Sequence, residues 1–183
     1  SDSEPQLLRD VKRWGEWVLR EAREELSRFY PEDEDGSVPA AYIWARTLPC
    51  QNPDCGAEIP LMRQYWLARK KNRKIALKPV VTGEGVEFEI VEDPDFDPSR
   101  GTISRAIVTC PVCGSTIPAN DTRRLFQEGK AGERLITVAL THPQRRGKTY
   151  RLATEKDLEA YMEAQEYLEK KRDELMDRWG IDP

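Results

Sequence analysis

Apolar residues recur at helical spacing near both ends of the chain and at strand spacing between them. Leu7, Val11, Trp14, Val18, Ala22, Leu26 and Phe29 fall at steps of three and four, which predicts an amphipathic helix over residues 5–29. Pro31 and the acidic run from Glu32 to Gly36 end it in a solvated loop. A second helix is predicted over 154–179, with Leu158, Tyr161, Met162, Leu168, Leu175 and Trp179 on its apolar side. Thr154 and Asp157 have capping-box spacing at its start, and Gly180 follows as a stop.

Between the helices the period drops to two. Ala41–Leu48 alternates through Tyr42, Trp44 and Arg46. Lys74–Val81 and Val86–Val91 flank Thr82-Gly-Glu-Gly85, a hairpin turn, with Val86, Phe88 and Ile90 on one face and Glu87 and Glu89 on the other. Thr102–Thr109 reads as a further strand, and Asn120–Gln127 as a short helix capped by Asn120 or Asp121. Leu135–Leu140 and Thr149–Leu152 form a last hairpin across His142–Lys148.

Neither long helix can bury its stripe alone, so the expected solution is an antiparallel pair of the first and last helices beside the β structure. Close chain ends on two helices suit an insertion in a larger host, while a free-standing α+β domain fits the pattern equally well. The expected division is 1–36 for the first helix and acidic loop, 37–153 for the β domain and 154–183 for the last helix.

Four cysteines, the only ones present, form two short pairs, Cys50–Cys55 and Cys110–Cys113, each followed by glycine. Such turns aim two thiolates at one tetrahedral ion. The strings Cys55-Gly-Ala-Glu-Ile-Pro60 and Cys113-Gly-Ser-Thr-Ile-Pro118 repeat one another beyond the metal. Together they predict a four-cysteine zinc ribbon, with a long insert (56–109) between its knuckles. Four thiolates close the zinc shell, so the Zn²⁺ is expected to be structural. A disulfide reading lacks a secretory leader to support it, and a redox reading of Cys110-Pro-Val-Cys113 leaves the first pair unexplained. With neither leader nor membrane-spanning stretch in view, a cytoplasmic location is expected and no membrane partner.

Charge changes the picture again. The net charge of −4 conceals about −5 at each end (1–36 and 155–183) and +6 over 37–154. From Ile59 to Gly83 there is no acidic residue, and Arg63, Arg69, Lys70, Lys71, Arg73, Lys74 and Lys78 sit there beside Tyr65 and Trp66. A second basic cluster runs from Arg145 to Arg151 and contains Arg146 and Lys148. Basic side chains interleaved with aromatics suit a nucleic-acid surface. The competing reading is a solvated turn, with Tyr65 and Trp66 in the core and the acidic run Glu84–Asp97 paired against the first cluster.

No catalytic constellation is visible. The one histidine, His142, has no nucleophile elbow to serve, and there is no P-loop or dinucleotide fingerprint. Asp93, Asp95 and Asp97 read as an irregular loop, with a divalent-ion site there the lesser alternative.

Val38-Pro-Ala-Ala-Tyr-Ile-Trp-Ala-Arg46 followed by Cys50-Gln-Asn-Pro-Asp-Cys-Gly-Ala-Glu-Ile-Pro-Leu61 resembles the zinc-ribbon region of predicted bacterial and archaeal adenine-specific DNA methyltransferases. Trp14-Gly-Glu-Trp-Val18 before it, and Lys70-Lys-Asn-Arg-Lys74, Leu77-Lys-Pro79, Gly101-Thr-Ile-Ser104 and Cys110-Pro-Val-Cys-Gly-Ser-Thr-Ile-Pro118 after it, continue the likeness in order. In that family the ribbon is inserted in an S-adenosylmethionine-dependent enzyme whose methyl-donor loop and Asp/Asn-Pro-Pro-Tyr motif lie outside it. The resemblance therefore implies a non-catalytic accessory domain that helps a methyltransferase core engage DNA. It implies S-adenosylmethionine only in the parent enzyme, and it carries over the four cysteines alone.

Overall fold

The computed structural model describes residues 4–180 except Glu84, so that part of the expected Thr82–Gly85 turn and of the acidic run lies outside the described residues. The chain divides into two compact units, one made of both ends (to Pro39 and from Thr154), the other of Ala40–Ala153.

In the first unit, α1 spans Gln6–Leu26 and runs into a single 3-10 turn, Ser27–Phe29, while α3 spans Glu155–Trp179. The capping box at the start of α3 is formed: the Asp157 carboxylate accepts the Thr154 backbone N–H at 2.8 Å and its hydroxyl at 2.9 Å. Gly180 ends α3 in the left-handed region, φ +63°. Phe29 is buried with its ring 5.4 Å from that of Tyr167, and the Arg28 guanidinium lies 4.6 Å over both rings. The Tyr167 hydroxyl donates to Glu25, whose carboxylate also meets Lys171 at 3.4 Å. These contacts join α3 to the end of α1 and the turn after it. The stripe from Leu7 to Val18 takes no part: Leu7 is 76% exposed, Val11 61% and Trp14 54%. The structure thus leaves uncovered the apolar face that the sequence pattern expects to be buried. Leu158, Met162, Leu168 and Trp179 of α3 are exposed as well.

The second unit is built of antiparallel sheets. The first has the order β10-β9-β1-β2, formed by Arg145–Leu152, Gly132–His142, Val38–Pro49 and Glu58–Leu61. The second, β3-β4-β5, comprises Trp66–Lys70, Arg73–Thr82 and Gly85–Glu92. The third, β6-β7-β8, comprises Ile103–Ser104, Ile107–Thr109 and Thr116–Ile117, and α2 (Ala119–Gln127) follows it. Val86 and Phe88 are buried and Glu87 and Glu89 exposed, as the period of two requires. They meet Ala45, Tyr65, Leu77 and Ile136 in a core between the first two sheets. A separate core, with Leu48, Ile59, Val108, Ile117 and Leu125, lies under the cysteines.

Two local expectations are corrected. Thr102–Thr109 is a tight hairpin rather than one strand, because the chain reverses at Arg105 and Ala106, with φ +49° and +65°. α2 begins one residue earlier than expected, and Pro118, not Asn120 or Asp121, occupies its N-cap. Asp121 lies inside the first turn, where it favours the helix dipole and meets Arg124 at 3.0 Å.

Candidate metal centre and basic groove

Each cysteine pair occupies the turn of a short antiparallel hairpin. β1 and β2 close at Pro49 opposite Glu58, and β7 and β8 close at Thr109 opposite Thr116. The backbone N–H of Cys50 donates to the Ala57 carbonyl at 2.8 Å, and that of Cys110 to Ser115 at 2.9 Å. Each turn then needs a left-handed residue behind its second cysteine, and Gly56 (φ +59°) and Gly114 (φ +74°) supply it. The internal repeat in the sequence is thus a repeat of hairpin geometry.

The two turns face each other so that all four Sγ atoms lie within 4.8 Å of one another. Cys50 and Cys113 are 3.6 Å apart, and Cys55 and Cys110 3.8 Å. A tetrahedron with metal–sulfur bonds of ~2.3 Å places its sulfurs ~3.8 Å apart. The cysteines are free thiols. Donor chemistry and spacing both fit a soft tetrahedral cation, and a full set of four protein ligands leaves no position for a reacting water.

The thiols are unequal. Burial pushes Cys50 up to about 12. The Ala57 backbone pulls Cys55 down, but burial and the neighbouring thiols leave it raised overall. Cys113, exposed on the outer side, is held down to about 6 by the hydroxyl and backbone of Ser115. Ser115, absent from the expected site residues, therefore favours the thiolate form of Cys113. Its only signal in the sequence is its place after the second knuckle glycine.

Among the described residues, this cluster is the group of three or more metal-ligating side chains that the fold assembles. His142 ends β9 and accepts the Gln144 N–H at 3.1 Å on Nδ1. The 93–98 loop is shaped otherwise: Asp97 accepts the Ser99 N–H at 3.0 Å and Phe96 packs on the core between the first two sheets.

The basic residues divide. Arg69 and Lys70 end β3 and stand opposite Lys74 and Arg73 of β4, two successive like-charge pairs at a hairpin tip. Like charges directly opposite destabilise a ladder, so this tip concentrates positive potential at a cost in stability. The β9–β10 tip lies beside it. A bulge between Arg145 and Lys148 takes Arg146 and Gly147 out of the ladder, with Gly147 at φ +97°. The Arg73 Nη1 donates to the Lys148 carbonyl at 2.6 Å, and the Tyr150 hydroxyl to the Leu67 carbonyl at 2.9 Å. Arg69, Lys70, Arg73, Lys148 and Tyr150 line a groove of about 380 Å³. Lys71 occupies the β3–β4 turn between them.

Arg63 and Lys78 stand apart from this groove. Arg63 lies in the segment after β2 and accepts the Gly101 N–H on its carbonyl at 3.2 Å, and Lys78 faces Glu89 across the β4–β5 ladder. Tyr65 is in the core, whereas Trp66 is half-buried with the Arg69 guanidinium 5.6 Å over its ring. The acidic run serves other partners as well: Glu87 takes Arg134 at 2.7 Å. Tyr150 was not readable as a groove-forming residue, because its role is a contact between distant hairpins.

No helix among the described residues is long and apolar enough to cross a membrane. No protein-family model, curated protein or solved structure matches this chain.

Proposed function

We propose that this chain is a non-catalytic zinc-ribbon module that engages DNA through the groove between its two basic hairpin tips. The observation that carries the reading is the meeting of the two basic segments, 75 residues apart at Arg73 and Lys148, in one place. A merely solvated charge run gains nothing from that convergence, whereas phosphate binding does, because each neutralised phosphate releases a counterion. Zn²⁺ in the cysteine tetrahedron holds the two knuckles together and with them the core on which β1 and β7 rest. Following the resemblance of the ribbon strings, the module serves a parent S-adenosylmethionine-dependent adenine-specific DNA methyltransferase by helping its core engage the duplex. The two flanking helices, paired antiparallel in the sequence reading, anchor it there.

The test is titration of the zinc-loaded chain with labelled duplex DNA at low and at moderate salt, after one zinc per chain has been confirmed by elemental analysis. Salt-sensitive binding, abolished by charge reversal at Lys70 and Lys148, supports the reading. Absent or salt-insensitive binding by the intact, zinc-loaded chain overturns it.

A second reading, a structural or protein-docking zinc-ribbon module, is favoured by one observation, the exposed apolar stripe of α1. An apolar contact with a methyltransferase core would survive the same charge reversals.

A further inference from the structure

Arg73 counts in the sequence as one more cation for a phosphate, but its position in the structure is different. Its guanidinium is engaged with the backbone of the other hairpin, donating to the Lys148 carbonyl at 2.6 Å. Gly147 stands against it: a Cβ there would lie 3.4 Å from Arg73 Nη1, on a backbone whose φ of +97° already disfavours any side chain. A second bond crosses the same gap, from the Tyr150 hydroxyl to the Leu67 carbonyl at 2.9 Å. The two hairpins belong to different sheets. Side-chain-to-backbone bonds of this kind fix the relative height of the two tips without consuming an acidic partner.

We propose that Arg73 and Tyr150 are positioning residues that clasp the β3–β4 and β9–β10 tips into one anion groove, in which Lys70 and Lys148 take phosphates of a nucleic-acid backbone. This rests on the DNA reading above and names the ligand chemistry more narrowly. A groove of about 380 Å³ is far too small for the width of a duplex and suits a short stretch of one backbone strand. The contact is therefore to the backbone of one strand, and it is tolerant of sequence. Arginine suits the clasp because its planar fork can hold a carbonyl in fixed geometry, whereas lysine presents a mobile point charge.

The experiment measures affinity of the full, zinc-loaded chain for a labelled duplex over a salt series, with K70Q, K148Q, R73Q, R73K and Y150F alongside the parent sequence. Each lysine variant is expected to lower the slope of log affinity against log salt by about one unit, the loss of one phosphate contact. R73K is expected to weaken binding as much as R73Q, and both more than either lysine variant, because the clasp aligns two cations. Y150F, which changes no charge, is expected to weaken binding too. If R73K keeps the parent affinity and slope while R73Q loses one unit, Arg73 is an ordinary phosphate contact and the proposal falls.

Amide hydrogen exchange of the free protein separates the two ideas. Faster exchange over 145–150 in R73Q and Y150F, in a chain that binds no DNA, would retain the clasp and remove its nucleic-acid role. Unchanged exchange in both variants would overturn the clasp itself.

Discussion

Ile59 and Ile117 stand four residues past the second cysteine of their respective knuckles, and both are buried in one core beneath the cysteine cluster, at 0% and 2% exposure. The repeated Ile-Pro step is therefore a packing device that turns two similar hairpins toward each other. Truncating either isoleucine to alanine removes three methyl or methylene groups from a closed site, at an expected cost of about 2–5 kcal/mol. Because the two residues share one core, the double variant should depart from the sum of the single ones. Urea unfolding of the three variants, with zinc at saturation, measures this directly.

The metal should govern whether that core exists. Structural zinc in small domains contributes about 10–16 kcal/mol, comparable with the whole stability of about 5–15 kcal/mol of an ordinary domain. Chelation is expected to loosen the region around Leu48, Ile59 and Val108, read as lost protection from hydrogen exchange. Cys50→Ser should lower zinc below one per chain and mimic chelation. A stable, unchanged pattern after complete metal removal would show that packing alone holds the knuckles.

Zinc affinity should fall as pH falls. Ligation requires thiolates, and burial holds Cys50 protonated up to about 12, with Cys55 also raised, so both release protons on binding at neutral pH. Cys113, held at about 6 by Ser115, is already ionised there. Below that value its proton must be displaced as well, and the dependence should steepen. Competition titration against a chelator of known proton affinity gives the number of protons released at each pH. Ser115→Ala should move the steepening to higher pH, because Cys113 loses the hydroxyl that stabilises its thiolate.

Gly101 is expected to be the least replaceable glycine of the second unit. A Cβ built there would lie 1.9 Å from the Met62 carbonyl oxygen and 2.8 Å from the Arg63 carbonyl carbon, both backbone atoms that cannot turn aside. The close approach exists because Gly101 and Ile103 donate to the Arg63 and Met62 carbonyls, at 3.2 Å each, strapping the third sheet to the end of β2. Gly101→Ala should destabilise by at least the about 1–3 kcal/mol typical of overpacking. Gly83→Ala, with nothing within 4 Å of its Cβ, is the control. Equal thermal midpoints for the two variants would refute the strap.

The local periods carried much of this protein. Three- and four-residue steps placed α1 and α3, and alternation placed β1, β4 and β5. The spacing of Thr154 and Asp157 placed a cap, and two glycine-backed cysteine turns supplied the metal-ligand candidates. All of these depend on residues near one another in the chain, where propensity and turn chemistry act directly. The reversal at Arg105-Ala106 escaped because neither residue is a usual left-handed former, and the hairpin is imposed by Ile103 pairing with Val108. Which basic residues gather was undecided for a related reason. Arg69 and Lys70 lie beside Lys148 where the Arg73 and Tyr150 bonds cross between different sheets, while Arg63 and Lys78 are carried elsewhere. Whether the stripes of α1 and α3 meet was likewise a tertiary matter, since periodicity shows that a face is apolar but not what covers it. Short-range chemistry determined the long helices, the longer strands and the four thiolates. Only the packing of sheets against one another decided the groove, because its parts lie 75 residues apart and no local preference can sense that distance.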